Sequence, residues 1–554
     1  MHKKPNILVL MTDQQRADAM SCAGNSLLKT DAIDSIAASG IRFTNACAST
    51  PVCVASRMSF LTGHRAATTH WMDNAPLAGP IPELPTMMGL LLRAGYQTHG
   101  VGKMHFHGRN YGFQNLQTME EGIEYRVDDD YLRYLRDVGI NSRFPKGIRD
   151  LLYFQPQTSG VPVEHSASSW VADRSIDFLR EHSRYRSDKP FFLWSSWIAP
   201  HPPFAPSEPY DDIYDPEDMP LPYYTNRPIS DLPSSLWSSR ARLDGAHRDP
   251  ERLKRLRALY YGMIHHVDDG IARILATLDE CNLSENTVIL FTSDHGEMLG
   301  DHGLSQKNCP YESSVRIPFI LRWPGKQATG EINDIPVGLT DVLPTLVDEI
   351  GLEYPDEGIS LPGDNLFDLI SQESHISRSD YVIDYGQNSK RWISVRTPTH
   401  KYNFFSCDGG REELFNLTDD PEERTNLVHD FPDLTESFRA RVHEWEMSQG
   451  LARNNRGQGI FTVFPTPKEI PDEESIRDVM VNEGPWPKRV PEDEISSLES
   501  YAEAFTRAIS KEKTLSQNKL SIAIYKSKIE KLNPRDSGGE SLEDTPWSES
   551  WFKA

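Results

Sequence analysis

Residues 50–63 combine a cysteine with a basic side chain in a pattern suited to binding an anion. The segment reads Thr-Pro-Val-Cys-Val-Ala-Ser-Arg-Met-Ser-Phe-Leu-Thr-Gly, so that Ala55 and Arg57 follow Cys53 at short, regular spacing. A helix is predicted to start at Ser59, and its free backbone N–H groups would favour negative charge near the thiol. Because a lone cysteine is often a small buried hydrophobe, both a reactive residue and a core residue remain open.

Two acidic segments follow apolar runs that predict buried strands. Asp13 and Gln14 come after the first apolar run of the chain, and Asp294 and His295 come after a later one. Since the ends of neighbouring strands meet at one edge of a sheet, these side chains are expected to converge, and carboxylate and amide oxygens suit a hard divalent cation. The alternative is that each aspartate caps a helix at a strand-to-helix turn.

Four further basic or titratable residues occupy comparable positions. Lys103 and His105 follow a short strand-like run, His201 follows a longer apolar run, and Lys307 lies downstream of the second acidic segment. A lysine can hold an anion as a point charge, and a histidine can move a proton near neutral pH. Taken singly, each residue would more often be a solvated loop residue.

The pattern of apolar runs predicts an α/β fold with a doubly wound, mainly parallel sheet. The runs lack two-residue alternation, as expected of strands buried on both faces, and helical periodicity separates them. The predicted strands are Ile7–Met11, Gln97–Val101, Phe191–Ile198, Val288–Phe291 and Phe319–Trp323, and the predicted helices include Thr86–Ala94 and Ile264–Leu278.

The composition changes after about residue 375. Short β-prone runs at residues 381–385, 391–395, 401–405 and 413–417 predict a small antiparallel sheet, and residues 433–448 predict a helix packed on it. We therefore expect a catalytic α/β domain at 1–375, an antiparallel-sheet subdomain at 376–450 and a partly helical extension at 451–554. Within the extension, helices are predicted at 498–509 and 515–532, and they would pack on the body or on a second subunit, which would make the protein a homo-oligomer.

Charge and composition exclude several classes of protein. The net charge of −23 argues against a nucleic-acid-binding surface, so an anionic substrate must be drawn in by a local basic cluster. The six cysteines form no C-x-x-C pair, which argues against a disulfide framework or a structural zinc site. No run approaches the ~18 apolar residues of a membrane span. A cytoplasmic location is expected if the chain begins at its native start, and a periplasmic or secreted one if a signal peptide has been removed.

The motifs together resemble the formylglycine-dependent sulfatases of the alkaline phosphatase superfamily. The resemblance covers about residues 5–450 and rests on Cys-x-Ala-x-Arg at Cys53, Gly-Lys-Met-His at Lys103 and Pro-His-Pro-Pro-Phe at His201, in family order. It implies an alkaline phosphatase-like fold with a smaller C-terminal antiparallel subdomain. It also implies that a formylglycine-generating enzyme oxidises Cys53 to an aldehyde, whose hydrate is the nucleophile.

The resemblance further implies a set of metal ligands. Asp13, Gln14, Asp294 and His295 match positions where sulfatases hold a divalent cation, and the oxidised Cys53 supplies another ligand. Many family members carry a second Asp in place of Gln14 and an Asn in place of His295, whereas this pair also occurs among phosphonate monoester hydrolases of the superfamily. Ca²⁺ is therefore the expected metal, with Mn²⁺ or Mg²⁺ as alternatives.

Catalytic roles are implied in the same way. Arg57, Lys103 and Lys307 would neutralise the sulfate ester, and His201 together with Lys307 would protonate the leaving alcohol. His105 would act as the base that deprotonates the second hydroxyl of the aldehyde hydrate, so that sulfate is released.

The substrate is specified less sharply than the reaction. Asp73-Asn74-Ala75-Pro76 resembles the branch that contains choline sulfatases and phosphonate monoester hydrolases, in which Asn74 would contact the substrate. Candidates for the alcohol-side pocket are Trp71, His107, Arg109 and His165. The resemblance favours the ester of a sulfated carbohydrate, a small anionic substrate. The alternatives are a phosphonate, phosphodiester or choline-sulfate-type hydrolase and a non-catalytic anion-binding protein.

Overall fold

The computed structural model describes residues 4–77, 80–121, 129–140, 142, 145–147, 156–186, 188–224, 226–237, 249–326, 329–355, 360–371, 378–449 and 463–467. The predicted extension helices at 498–509 and 515–532 lie outside these residues. Within the described part of the chain, no helix combines the length and apolarity needed to span a membrane. The domain boundaries at 375 and 450 stay predictions.

A central sheet of eight strands organises the described residues. The strands of the protein are β1 (Asn6–Asp13), β2 (Ile41–Phe43), β3 (Ala46–Cys47), β4 (Gln97–Gly102), β5 (Asn115–Thr118), β6 (Phe191–Pro200), β7 (Thr287–Ser293), β8 (Phe319–Arg322), β9 (Glu331–Asn333), β10 (Val337–Gly338), β11 (Tyr381–Tyr385), β12 (Trp392–Arg396), β13 (His400–Phe405) and β14 (Arg411–Asn416). The central sheet has the order β5-β4-β6-β1-β7-β8-β2-β9. Its pairs are parallel except where β8 meets β7 and β2, which confirms the predicted, mainly parallel architecture.

The centre of the sheet is buried on both faces. All eight residues of β1 are buried, and so are all ten of β6 and all seven of β7. Along β1, Ile7 and Val9 pack into the apolar core on one face, whereas Leu8 and Leu10 pack into the core on the other. Burial on two faces explains why these strands read as continuous apolar runs.

Helices cover both faces of the sheet. The α-helices of the described residues are α1 (Asp31–Ala38), α2 (Cys53–Thr62), α3 (Ala66–Thr69), α4 (Met87–Arg93), α5 (Asp130–Asp137), α6 (Ala167–Tyr185), α7 (Pro250–Glu280), α8 (Glu312–Val315), α9 (Val342–Ile350), α10 (Leu366–Ile370) and α11 (Pro432–Ser448). The cores assign α1, α6 and α7 to one face and α2, α4 and α9 to the other. The architecture is therefore doubly wound, with the carboxyl ends of the parallel strands left free for ligands.

One helix differs from the sequence prediction in a way that matters for the site. Helix α2 begins at Cys53, not at Ser59, because Val52 is already extended (φ −153°, ψ 143°) and the helical backbone starts immediately after it. Apolar periodicity could not reveal this start, since all ten residues of α2 are buried and the helix has no polar face. The helix ends at Gly63, which adopts the left-handed conformation (φ 70°) typical of a helix terminus.

A second sheet follows the central one in sequence. Strands β11, β12, β13 and β14 pair antiparallel in chain order, and α11 packs its Phe438, Val442 and Trp445 against them. The predicted antiparallel sheet and its helix are confirmed, with strand boundaries shifted by up to two residues.

Candidate active site

Four functional segments leave the central sheet at the same edge. Asp13 ends β1, whereas Lys103, His201 and Asp294 are the first residues after β4, β6 and β7. These strands are neighbours in the order β4-β6-β1-β7 and run parallel, so their carboxyl ends lie side by side. Gly102 makes the tight exit from β4 possible, since it has φ +96° and a Cβ there would lie 1.9 Å from the Ser196 carbonyl oxygen.

Cys53 lies against these strand ends in the first turn of α2. Its Sγ is 3.3 Å from His295 Nε2 and 3.9 Å from Asp13 Oδ1, and the residue is fully buried. Asn74 Oδ1 accepts a hydrogen bond of 3.1 Å from the backbone N–H of Val54, which holds the start of the helix. The structure thus brings Asn74 next to Cys53, and the contact of Asn74 with the substrate stays a prediction.

Cys53 and three groups around it have the chemistry of a metal site. The potential ligand atoms of Asp13, Cys53, Asp294 and His295 all lie within 4.8 Å of one another, and all four residues are buried. His295 Nδ1 lies 3.0 Å from the Gly296 carbonyl oxygen, and the neutral tautomer that donates there directs the lone pair of Nε2 toward the other three residues. Although burial opposes a charged imidazole, Asp294 and Cys53 raise the pKa of His295. The cluster therefore favours positive charge at its centre and fits a cation.

Gln14 contacts both Asp294 of this cluster and the basic residue Lys307. It has a left-handed backbone (φ 69°), an unusual conformation for a residue other than glycine. Its N–H donates to Asp294 Oδ1 at 3.1 Å, and its Oε1 accepts from Lys307 Nζ at 2.7 Å. Its Nε2 donates to Glu297, which lies two residues after His295 in the segment Ser293-Asp294-His295-Gly296-Glu297. No role for Glu297 is predicted from the sequence.

Arg57 and Lys103 supply buried positive charge beside the thiol. Arg57 Nε donates to Asp294 Oδ2 at 2.8 Å and its Nη1 to Ser196 Oγ at 2.9 Å, whereas its Nη2 has no hydrogen-bond partner among the described residues. Lys103 Nζ forms an ion pair with Asp13. Arg57 Nη2 lies 3.7 Å from Asp13 Oδ2, too far for a hydrogen bond, so it keeps a donor available to an anionic ligand.

These charges set the ionisation of the site. Burial and Asp13 both oppose the thiolate, but Lys103, Lys307 and His295 outweigh them and lower the pKa of Cys53 to about 6. Burial likewise opposes the charged form of Asp13, yet Lys103 and the other cations nearby hold the pKa of this carboxyl well below its usual range. Negative charge at position 53 is therefore stabilised.

His201 and Lys307 form a second pair on the same side of the site. Lys307 Nζ lies 3.0 Å from His201 Nε2, and His201 Nδ1 lies 2.7 Å from the Pro202 carbonyl oxygen. Burial and then the charge of Lys307 lower the pKa of His201. The neutral tautomer that fits both contacts donates from Nδ1 and accepts from the lysine at Nε2, which leaves Lys307 as the charged, proton-carrying member of the pair.

His105 lies in the turn after Lys103. Its backbone is left-handed (φ 59°), and its N–H donates to Glu120 Oε1 at 2.9 Å. Its Nδ1 is buried with no hydrogen-bond partner among the described residues. Burial and then the charge of Lys103 lower the pKa of His105, so that the imidazole is neutral and available as a base.

The structure brings some of the proposed pocket residues together and leaves others apart. The His107 ring stacks on Trp71, with centroids 5.0 Å apart, and lies 5.6 Å from the His105 ring. Arg109 is exposed. His165 instead bonds Tyr134 OH through Nδ1 at 2.6 Å, and none of its described contacts reaches the residues around Cys53.

Three residues at the site were missed by sequence reasoning. Glu297 shares a motif with Asp294, so its position was a usable signal. Ser196 lies within an apolar strand, and Glu121 lies in a segment without a motif. Only the packing of α2 against the end of β6 brings Arg57 to Ser196, and only the tertiary fold brings Glu121 to Lys103.

Comparison with known proteins identifies the family. The sequence model described as Sulfatase matches residues 5–352, and the one described as N-sulphoglucosamine sulphohydrolase, C-terminal, matches residues 300–447. The arylsulfatase of Clostridium perfringens is 33% identical over 469 residues, which cover 79% of this chain and 92% of that protein. The chain therefore belongs to the sulfatase family, and its class is that of the sulfuric ester hydrolases.

Two further relatives extend the comparison. The ulvan-active sulfatase of Formosa agariphila is 28% identical over 436 residues, which cover 77% of this chain and 77% of that protein. The crystal structure of the phosphonate monoester hydrolase of Agrobacterium radiobacter has a TM-score of 0.70 at 24% identity and covers 80% of this chain and 96% of that chain. This likeness confirms the expected alkaline phosphatase-like fold.

Proposed function

We propose that this sulfatase hydrolyses the sulfate ester of a carbohydrate to an alcohol and inorganic sulfate at Cys53. The observation that carries the proposal is the position of Cys53 in the first turn of α2, fully buried between three acidic or imidazole ligands and the charges of Arg57, Lys103 and Lys307. A monoanionic ester would find both neutralising charge and a nucleophile there. The ulvan-active relative supports a carbohydrate as the alcohol.

The first requirement is a modified nucleophile. Conversion of Cys53 to formylglycine by a formylglycine-generating enzyme would supply an aldehyde hydrate, one hydroxyl of which attacks sulfur while the other allows the later release of sulfate. An unmodified thiol would give a thiosulfate ester with no such release. The basic surroundings that lower the pKa of the thiol would equally stabilise a negatively charged hydrate oxygen.

The second requirement is a divalent cation. Asp13, Gln14, Asp294 and His295, with the oxygen of residue 53, would hold it, and their mainly oxygen donor set favours Ca²⁺ over Mn²⁺ or Mg²⁺. When bound, the cation supplies positive charge that neutralises the ester and lowers the pKa of the nucleophilic hydroxyl. Gln14 would have to share its Oε1 between the cation and Lys307.

The remaining residues divide the work of binding and proton transfer. Arg57, through its unpartnered Nη2, and Lys103 would hold the non-bridging sulfate oxygens. Lys307, adjacent to the neutral His201, would give its proton to the leaving alcohol. The neutral His105 would accept a proton when the hydrate collapses to aldehyde and releases sulfate. The Trp71 and His107 rings would form an apolar face against the sugar.

A second candidate function is hydrolysis of a phosphonate monoester or phosphodiester on the same scaffold. The Gln14 and His295 pair favours it, because this pair resembles the ligand set of the superfamily's phosphonate monoester hydrolases. Both substrate types carry a single negative charge, so the basic cluster at Cys53 alone does not separate them.

The function is tested by comparing rates on matched esters. We expect the protein produced with a formylglycine-generating enzyme to cleave sulfated mono- and disaccharides with release of inorganic sulfate, and to show a higher kcat/KM for an aryl sulfate than for the corresponding aryl phenylphosphonate. A higher kcat/KM for the phosphonate would establish the second candidate. Absence of turnover on either class, in protein shown to carry formylglycine, would contradict both.

A further inference from the structure

Glu121 puts a carboxylate inside the basic cluster that surrounds Cys53. Its Oε2 forms an ion pair with Lys103 Nζ and lies 3.4 Å from His201 Nε2. The side chain of Glu121 is 14% exposed, whereas that of Lys103 is fully buried. The carboxylate therefore reaches inward from the edge of the site. It contacts Lys103, which is proposed to hold the sulfate oxygens, and His201, the neighbour of the proposed proton donor Lys307.

The carboxylate is close to the reacting position itself. The nearest ligand-type atoms of Asp13, Cys53, Glu121 and His201 all lie within 4.8 Å of one another. An ester attacked at position 53 and held by Lys103 must accordingly place its charged oxygens within a few ångströms of Glu121. A fixed negative charge at such a distance repels an anionic substrate, and the repulsion grows with each charge that the substrate carries.

The cost of this repulsion depends on the class of ester. A sulfate monoester, like a phosphodiester or a phosphonate monoester, carries one negative charge, whereas a phosphate monoester carries nearly two at neutral pH because its second pKa is about 6. Because Glu121 neutralises part of the charge of Lys103, it would weaken the binding of a dianionic ester more than the binding of a monoanionic ester.

We propose that Glu121 is a specificity-determining residue that makes the site select monoanionic esters over dianionic phosphate monoesters. The inference rests on the proposed function, since it concerns the same site. The role assigned to Glu121 is electrostatic. It sets the net charge that the site presents to the transferred group, through its ion pair with Lys103.

Glu121→Gln tests the proposal because it removes the charge and keeps the length of the side chain. The substrates are 4-nitrophenyl sulfate and 4-nitrophenyl phosphate at pH 8, where the phosphate is a dianion. We expect kcat/KM for the phosphate, relative to that for the sulfate, to rise about tenfold or more. Glu444→Gln is the matched control, because this exposed residue of α11 makes the same change of charge while pairing with Arg441; its ratio should not change.

Two results would overturn the proposal. An unchanged ratio in Glu121→Gln would show that the carboxylate does not discriminate by charge. An equal loss of kcat for both esters would show that Glu121 positions Lys103 for the reaction instead. Circular dichroism and the melting temperature of each variant establish that the comparison is made between folded proteins.

A binding measurement separates this inference from the proposed function. In the Cys53→Ala background, which removes the nucleophile, calorimetric titration with inorganic sulfate should give a Kd about tenfold lower or better when Glu121→Gln is added. This result would support the role of Glu121 even if the unsubstituted protein proved inactive on sulfate esters. An equal or weaker affinity for sulfate would contradict it, whatever the catalytic activity.

Discussion

Two buried groups of charged residues in this protein have different roles: one forms the candidate active site, and the other holds two parts of the fold together. The active-site cluster surrounds Cys53, and its Arg57 Nη2 and His105 Nδ1 have no hydrogen-bond partner among the described residues. The second group, here called the interface cluster, consists of Glu312, Arg396, Lys401 and Glu423. It joins α8 to strands β12 and β13 of the antiparallel sheet.

In the interface cluster, charges of opposite sign meet directly. Arg396 donates from Nε and Nη2 to the carboxylate of Glu312 at 3.1–3.2 Å, and Lys401 Nζ lies 3.0 Å from Glu312 Oε1 and 2.9 Å from Glu423 Oε1. Glu423 Oε2 also accepts the backbone N–H of Glu312 at 2.6 Å. Opposite charges also pair in the active-site cluster, as in Lys103–Asp13 and Arg57–Asp294, but there Arg57 Nη2 keeps a donor without a hydrogen-bond partner among the described residues. The comparison teaches that buried charge paired between elements fixes their packing, whereas a buried cation that keeps a spare donor prepares a site for an anionic ligand.

Replacing Cys53 should have the largest effect on the activity of the active-site cluster. In Cys53→Ala we expect kcat for sulfate esters to fall by about 10⁴-fold or more, because no other group near the strand ends can form and release the covalent intermediate. The melting temperature should change by less than about 3 °C, since one sulfur atom is lost from a charged and not an apolar environment. Steady-state kinetics and thermal unfolding measure the two effects.

Cys47→Ala is the matched control for this variant. Cys47 is also fully buried, but its thiol lies near the carbonyl oxygen of Asn45 and outside the active-site cluster. It should retain activity. Comparable loss of kcat in both variants would contradict the special role of position 53.

Removal of the divalent cation should have the next largest effect. Chelation with EDTA is expected to lower kcat by about 10³-fold, since the ester and the attacking hydroxyl would lose the positive charge that the cation adds to that of Arg57, Lys103 and Lys307. Ca²⁺ should restore activity better than Mn²⁺ or Mg²⁺ at equal concentration. Full activity after exhaustive chelation, verified by elemental analysis of the protein, would contradict a metal site at these residues.

Lys401→Met should affect stability and leave the chemistry intact. The substitution leaves Glu312 and Glu423 buried with one cation fewer, so we expect the free energy of unfolding to fall by about 3 kcal/mol, a factor of about 10² in the folding equilibrium. Urea denaturation measures the loss, and kcat of the folded enzyme should stay within twofold of the unsubstituted value.

Lys326→Met provides the control for the lysine substitution. Lys326 is 45% exposed in an ion pair with Glu349, so its replacement should change stability by less than about 1 kcal/mol. The division of roles between the two clusters would be refuted if Lys401→Met abolished turnover without lowering the stability of the fold.

Asn74→Ala should have the smallest effect on activity and stability. It tests whether Asn74 belongs to the active-site cluster or only holds the start of α2. Asn74 accepts the Val54 N–H at the start of α2, so its loss should cost about 1 kcal/mol of stability. If it also contacts the substrate, KM should rise about fivefold. Asn74→Asp keeps the acceptor and should restore stability but not substrate affinity. Recovery of both in Asn74→Asp would reduce Asn74 to a capping residue.

Most of the fold and much of the site could be predicted from the sequence, for local reasons. Strands β1, β6 and β7 are largely apolar because both of their faces are buried. Asp13 ends β1, and Lys103, His201 and Asp294 directly follow β4, β6 and β7, so each functional residue could be located from the strand before it. The predicted start of α2 at Ser59 was wrong by six residues, because a helix that is buried on every side shows no periodic pattern of apolar residues. Glu121 could not be found at all, since its meeting with Lys103 depends on tertiary packing alone.

The most direct test of the central claim is the mass of the peptide that contains Cys53. The protein is produced with a formylglycine-generating enzyme and digested without prior alkylation. A peptide lighter by about 18 Da than the encoded sequence, as required when CH₂SH becomes CHO, is the predicted result, because the nucleophile proposed for this site is the aldehyde hydrate. A peptide with the unmodified thiol under these conditions would contradict the account and leave the basic cluster as a site for binding anions without hydrolysis.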